Sequence, residues 1–159
     1  MKRTKWILGV LVFVVVLAGL IALPYYFGDD SCLTTPATEM DIGGHEDLAM
    51  HIHPTLEIVI DGERQEIPAG IGLTFNEMRP IHTHDATGKI HIEAPCEREF
   101  TLREFFAVWG KQFNSQCIFD SCVADGGTLV MFVNGDENDA YDNLILRDDD
   151  EIQIVYTGA

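Results

Sequence analysis

The pattern of hydrophobic and polar positions begins with an uncharged apolar run at residues 6–27. Its length matches the roughly 20 residues that an α-helix needs to cross a bilayer. Lys2, Arg3 and Lys5 precede the run, and basic flanks stay on the cytoplasmic side of a membrane. The pattern predicts a cytoplasmic flank at residues 1–5, a transmembrane anchor at residues 6–27, and a remainder outside the cytoplasm.

A cleaved signal peptide is the alternative interpretation of this run. Signal peptides have an apolar core of about 7–15 residues followed by a cleavage site with small residues. The run here is longer, and no Ala-x-Ala site precedes Asp29 and Asp30. We therefore expect a retained signal anchor that makes a single pass through the cell membrane, although both interpretations export the domain.

The periodic pattern of apolar residues is weak just after the predicted anchor and becomes clear again from Leu56. Residues 28–49 are rich in Asp, Gly and Thr, which predicts a flexible acidic tether before a folded domain at residues 50–159. Leu56, Ile58 and Ile60 alternate as in a strand, and Asp61 and Gly62 are a hairpin signal. A first hairpin is therefore predicted around residues 56–67.

A second alternating segment spans residues 81–93, with a turn sequence at residues 85–88. If the turn brings His84 opposite Lys89, then His82 lies opposite His91. Residues two apart on a strand share a face. One face of this hairpin is therefore expected to carry four candidate ligands, namely His82, His84, His91 and Glu93.

One soluble helix is predicted at residues 100–113. Thr101 and Glu104 fit a capping box, and apolar residues recur along one helix face. Strands are expected at residues 128–133, 144–146 and 151–157. This order predicts an α+β domain, with a β-grasp-like mixed sheet, one helix packed across it and an inserted histidine-bearing hairpin.

The C-terminal half resembles β-grasp, or ubiquitin-like, domains, and its ending is similar to the tail of small sulfur carriers. Those carriers end in Gly-Gly, whereas this chain ends in Thr157, Gly158 and Ala159. The resemblance therefore implies the fold and not the carrier function.

Charge narrows the classes of partner. All 26 acidic residues lie beyond the apolar run, and the formal net charge of the chain is −16. Such a surface repels nucleic acid phosphates, so a nucleic-acid partner is excluded. A metal ion, the membrane bound through the N-terminal helix, and an exported partner protein stay open.

The four cysteines all fall on the exported side. An even number in an oxidising compartment favours two disulfides, although four cysteines permit three pairings. The pairing that we expect joins Cys117 to Cys122 and Cys32 to Cys96.

The six histidines fall between positions 45 and 91, and five of them form a candidate metal site. Two His-x-His pairs place imidazoles side by side on strand faces, and imidazole with carboxylate suits copper or zinc, with copper slightly favoured. His45 stands alone in the tether and is not expected to be a ligand. The predicted ligands are His51, His53, His82, His84, His91 and Glu93.

Three other interpretations compete with this metal site. The histidines can form a pH-sensitive or protein-binding face, or a polar strand surface without function. His51, His53 and Glu57 also satisfy the His-x-His-x3-Glu spacing of cupins, with residues 67–70 similar to a second cupin motif. The two motifs lie too close together in the chain for a cupin barrel.

The motifs HIHPTLEIVIDG, IPAGIG, HTHDATGKIHIEAP and FTLREFFAVWG together resemble an uncharacterised family of small membrane-anchored extracytoplasmic domains. The resemblance runs from His51 to the C-terminus and implies that the histidines and the helix belong to one module. The function predicted from the residues is metal storage, delivery or electron transfer. The alternatives are a metal-dependent enzyme using Glu93 or Asp85 as acid or base, and a thiol–disulfide or protein-interaction module.

Overall fold

The last strand of the chain organises the main sheet. A computed structural model describes residues 31–159, of which residues 35–159 form one compact unit. In this last strand, Ile152, Ile154 and Tyr156 are buried and alternate with more exposed residues. This alternation is the period of a strand with one face on a core.

The described regular structure consists mainly of strands. The strands are β1 (Met50–Ile52), β2 (Thr55–Ile60), β3 (Glu63–Gln65), β4 (Ile81–His82), β5 (His91–Ala94), β6 (Cys117–Ile118), β7 (Ser121–Cys122), β8 (Thr128–Val133), β9 (Asp136–Glu137) and β10 (Glu151–Thr157). The α-helices are α1 (Ser31–Thr34) and α2 (Leu102–Trp109), and two 3-10 helices lie at Val123–Asp125 and Tyr141–Asn143.

Two sheets carry most of these strands. The larger is a mixed sheet of order β3-β2-β10-β8-β9, in which β10 runs parallel to β2 and antiparallel to β8. The smaller is an antiparallel sheet of order β1-β5-β4, and β6 pairs with β7 in a separate short hairpin. The fold class is therefore α+β with a mixed sheet, as predicted.

The helix α2 begins as predicted and ends earlier. The backbone N–H of Thr101 donates to the carboxylate of Glu104 at 2.9 Å, as in a capping box. Gly110 adopts a left-handed conformation at φ 70° and ends the helix. The predicted extension to residue 113 is therefore not helical, although Phe113 is buried and its ring lies 4.7 Å from that of Phe106.

Residues 144–146, predicted as a strand, pair with the chain at the start of the helix α2 and not with either sheet. The backbone N–H of Leu102 donates to the carbonyl of Leu144, and that of Leu146 donates to the carbonyl of Phe100. Backbone hydrogen bonds to this distant part of the chain satisfy the segment outside the main sheet.

Residues 35–49, expected within the flexible tether, belong to the compact unit. Ala37 and Met40 are buried, and the Ile42 N–H donates to the Met78 carbonyl at 2.9 Å. Asp41 accepts a hydrogen bond from the Met78 backbone. Tertiary contacts therefore order a segment whose own sequence has no periodicity.

The predicted anchor at residues 6–27 lies outside the described residues. Within residues 31–159, no helix combines the length and apolar character needed to cross a bilayer.

Candidate metal centre

The middle strand of the small sheet, β5, positions the centre. Its register places His82 of β4 directly opposite His91, and His51 of β1 directly opposite Glu93. Opposite residues of antiparallel strands share a face, so all four side chains lie on the same side of the sheet. The predicted register of the second hairpin is confirmed by the pairing of His82 with His91.

Pro54 and Gly88 connect this sheet to the larger one. Proline has no N–H to donate, and after Pro54 the chain leaves β1 and enters β2. The Pro54 carbonyl accepts from the Ile90 N–H, and the Gly88 carbonyl accepts from the Leu56 N–H, both at 2.9 Å. The histidine-bearing hairpin is thus anchored to the first strand of the main sheet.

The second member of each His-x-His pair lies just beyond its strand and remains near the first. The rings of His51 and His53 are 4.5 Å apart, and those of His82 and His84 are 4.7 Å apart. The two Nε2 atoms of His82 and His84 are 3.1 Å apart. Two nitrogens that share a metal at bonds of about 2.0–2.1 Å are separated by a similar distance.

Glu93 forms the acidic centre of the cluster. Its side chain is only 1% exposed, and its Oε1 lies 3.1 Å from Nε2 of His51. Oε1 also lies 4.0 Å from Nε2 of His82 and 3.7 Å from Nδ1 of His91. One carboxylate therefore faces imidazoles from all three strands of the small sheet.

His45, which was not expected to take part, contacts the same carboxylate. Its Nδ1 lies 2.6 Å from Oε2 of Glu93, and its ring lies 5.8 Å from that of His84. The preceding Gly43 and Gly44 have positive φ angles of 67° and 152°, which turns the chain toward the sheet. The sequence signal for His45 is the confinement of all six histidines to positions 45–91.

The charge of Glu93 is surrounded by imidazole rings. Among residues 31–159, its ion pairs are with histidines and not with Lys or Arg. Burial lowers the pKa of His82. Burial, followed by the neighbouring histidines His84 and His53, lowers the pKa of His91 to about 4. Two of the imidazoles are therefore neutral at pH 7, which is the form that binds metals.

A buried carboxylate needs a compensating cation or strong hydrogen bonds. A metal ion among these side chains would supply the cation while using the neutral imidazoles as ligands. The cluster is thus electrostatically suited to a divalent ion.

The tautomer of His82 is also suited to this role. Its Nδ1 lies 2.9 Å from the carbonyl oxygen of Arg79, so the ring donates its Nδ1–H there. Nε2 then carries the lone pair, which faces Nε2 of His84 at 3.1 Å. A hydrogen bond from the ring nitrogen that does not bind the metal fixes the orientation of metal-binding histidines.

Potential ligand atoms fall into two groups, and within each group they lie within 4.8 Å of one another. The first group contains His82, His84, His91 and Glu93, and the second contains His51, His53 and His91. The structure thus brings together all six residues predicted from the sequence. The first group offers three nitrogens and one carboxylate, a set that suits zinc or copper.

Two other candidates lie elsewhere. Glu57, the last residue of the cupin-like spacing, is in the larger sheet, where it pairs with Arg64 at 3.2 Å and accepts from Gln153 at 2.9 Å. Asp85 accepts hydrogen bonds from the backbone and hydroxyl of Thr87 within the turn. Both carboxylates have structural partners and belong to neither ligand group.

The cysteines are all oxidised. Cys117 is bonded to Cys122, Cys32 and Cys96 are also disulfide-bonded, and the described residues contain no free cysteine. The predicted disulfide between Cys117 and Cys122 is confirmed. A thiolate ligand for the centre is therefore absent from residues 31–159.

Comparison with known proteins found no family model, no curated protein and no solved structure that matches this chain.

Proposed function

We propose that this protein is a membrane-anchored, extracytoplasmic metal-binding protein that stores or delivers a divalent transition metal or transfers electrons through it. The observation that carries the proposal is Glu93, a carboxylate that is 1% exposed and contacts histidines without a Lys or Arg partner in the described chain. A divalent cation satisfies this carboxylate and the lone pairs of the neighbouring imidazoles together.

Copper(II) is the favoured ion, slightly ahead of zinc. Divalent copper binds a given nitrogen and oxygen site more tightly than divalent zinc. The ligand set consists of imidazoles and one carboxylate, and the disulfide-bonded cysteines supply no soft thiolate for Cu(I). The donor chemistry therefore supports Cu(II), while its three nitrogens also suit Zn(II).

Access from solvent supports storage or delivery. The side chains of His45 and His51 are 55% and 49% exposed, and His84 is also exposed. The net charge of −16 attracts cations toward the domain. An ion can therefore enter the cluster from one side while Glu93 holds it from the buried side.

A β-grasp-like arrangement is the narrower fold that we infer. The hairpin β2–β3 is followed by α2 and then by β8, β9 and β10, and β10 lies centrally between β2 and β8. The histidine-bearing hairpin lies between β3 and α2 in sequence, as expected for an insertion.

The metal proposal is tested by elemental analysis of the full chain in mild detergent, purified without metal and loaded separately with Cu(II) and Zn(II). We expect tight uptake that the His82→Ala/His84→Ala double variant loses. Glu57→Gln is the matched control, because Glu57 lies in the larger sheet. Equal uptake by wild type and double variant would overturn the proposal, and the histidine face would then be a protein-binding or pH-sensitive surface.

The anchor and the export of the domain are tested separately. The basic flank and the apolar run support a cytoplasmic N-terminus and an extracytoplasmic C-terminus. Membrane fractionation, together with protease treatment of intact cells that carry a C-terminal tag, gives the readout. A tag that stays protected in intact cells and is cleaved only after lysis would contradict this topology.

A further inference from the structure

His91 is the residue that the two ligand groups have in common. It lies at the start of β5, beside His82 on β4. Its ring centroid is 4.6 Å from that of His84 in the first group and 4.6 Å from that of His53 in the second. One imidazole therefore stands between two sets of potential ligands.

The two nitrogens of His91 are placed for different tasks. Nδ1 is buried, lies 3.7 Å from Oε1 of Glu93, and has no hydrogen-bond partner in the described residues. A buried polar atom without a partner costs free energy unless something binds it. The two nitrogens lie on different edges of the imidazole ring. When Nδ1 binds an ion held by the first group, Nε2 can therefore bind an ion held by the second.

An acidic side chain also accompanies the second group. The backbone N–H of His53 donates to Oδ1 of Asp148 at 2.8 Å, and Nδ1 of His53 lies 4.0 Å from the same oxygen. Each group thus has a carboxylate nearby: Glu93 belongs to the first group and also lies 3.1 Å from His51 of the second, and Asp148 lies beside His53 of the second. Two divalent cations in proximity require such negative charge to offset their mutual repulsion.

We propose that the centre holds two metal ions, with His91 as a ligand shared by both. The first ion takes His82, His84 and Glu93 with Nδ1 of His91, and the second takes His51 and His53 with Nε2 of His91. This inference rests on the proposed metal-binding function and adds the number of ions and their connection. Binding through both nitrogens removes the ring N–H proton of His91, and that proton passes to solvent.

The test is a Cu(II) titration of the metal-free full chain in mild detergent, followed by metal analysis and electron paramagnetic resonance. We expect two ions per chain. The resonance signal should grow with the first equivalent and decrease with the second, because a shared imidazole couples the two unpaired spins.

Variants separate the two positions. His51→Gln/His53→Gln should retain one ion with an uncoupled signal, and His91→Gln should lose the coupling. Glu57→Gln is the control and should keep both ions and their coupling.

Three other outcomes of the Cu(II) titration would each contradict a different part of the proposal. A single ion that is lost in His82→Gln/His84→Gln and unaffected by His51→Gln/His53→Gln overturns the two-ion centre and leaves the proposed function in place. Two ions with uncoupled signals in the wild type overturn the sharing of His91. Absence of specific uptake overturns the proposed function itself, and this inference with it.

Discussion

At Glu93 the chain keeps a carboxylate almost completely away from solvent and surrounds it with imidazole rings. Such a group is stable when a cation or several donors face it. His45 and His51 reach it from the exposed side, His82 lies beside it in the interior, and His91 is partly buried beside it. At the scale of single residues, the proposed metal binding therefore depends on the charge of one side chain.

Replacing Glu93 by Gln should weaken metal binding by at least about tenfold, because even an outer-shell partner typically contributes 10–100-fold to affinity. The metal-free protein should remain at least as stable as wild type, because the buried charge is removed. Competition with a chelator of known affinity measures the first effect, and urea unfolding measures the second. Unchanged affinity in Glu93→Gln would show that this carboxylate does not hold the ion.

The pKa of His91 predicts how the metal-free protein responds to acid. Burial and neighbouring histidines lower this pKa to about 4, whereas a histidine in the unfolded chain titrates near 6.5. Between those values the unfolded state binds more protons, so the free energy of unfolding falls as the pH falls from about 6.5 to about 4. Urea unfolding in a metal-free buffer at several pH values in this range measures the slope.

The His91→Gln variant lacks this titration and serves as the comparison. It should lose less stability than wild type over the same pH range. Parallel stability curves for the two proteins would assign the acid response to other groups.

At the scale of elements, the histidine-bearing hairpin depends on a close approach to β2. Gly88 has a φ of 90°, and a Cβ at this position would lie 2.3 Å from the carbonyl oxygen of Leu56. No side chain fits there without moving one of the two strands. The glycine thus positions His84 and His91 relative to the main sheet.

Gly88→Ala should therefore destabilise the domain more than Gly135→Ala does. Gly135 has a similar φ of 88° but has no atom within 4 Å of the same Cβ position, so the control carries the backbone strain alone, about 1–3 kcal/mol. Thermal or urea unfolding of both variants gives the comparison. Equal losses would mean that the contact with Leu56 is easily relieved.

At the scale of the whole molecule, the centre joins segments that are distant in sequence. His45 precedes β1, His51 lies in β1, and Glu93 lies in β5. A ligand that binds only the folded state stabilises it. Metal binding should therefore raise the free energy of unfolding of the whole domain.

Addition of Cu(II) or Zn(II) at about one hundred times the dissociation constant should stabilise the folded state by about 2.7 kcal/mol, a shift of several degrees in Tm. A chelator should reverse the shift, and His82→Gln/His84→Gln should show almost none. A thermal scan with and without metal is the measurement. A metal-induced shift of equal size in the double variant would place the stabilising ion elsewhere.

Local patterns in the sequence were sufficient for β2, β8 and β10, the start of α2 and the face of the second hairpin. Alternation specifies which residues of a strand share a face, and an even turn specifies that His82 meets His91. Five of the six histidines and Glu93 could be proposed as ligands because those relationships depend only on neighbours in the chain. The capping box of Thr101 and Glu104 is equally local.

Other features required the tertiary structure because they join distant residues. The pairing of β1 with β5 places His51 opposite Glu93, and no local period specifies which strands become neighbours. His45 lies in a segment without periodicity and is positioned by contacts with the domain. The sequence by itself determined the chemistry of the ligands and the faces that carry them. The tertiary structure decided that the six histidines form one cluster in which four of them face the buried carboxylate of Glu93, because long-range strand pairing and burial depend on the whole chain.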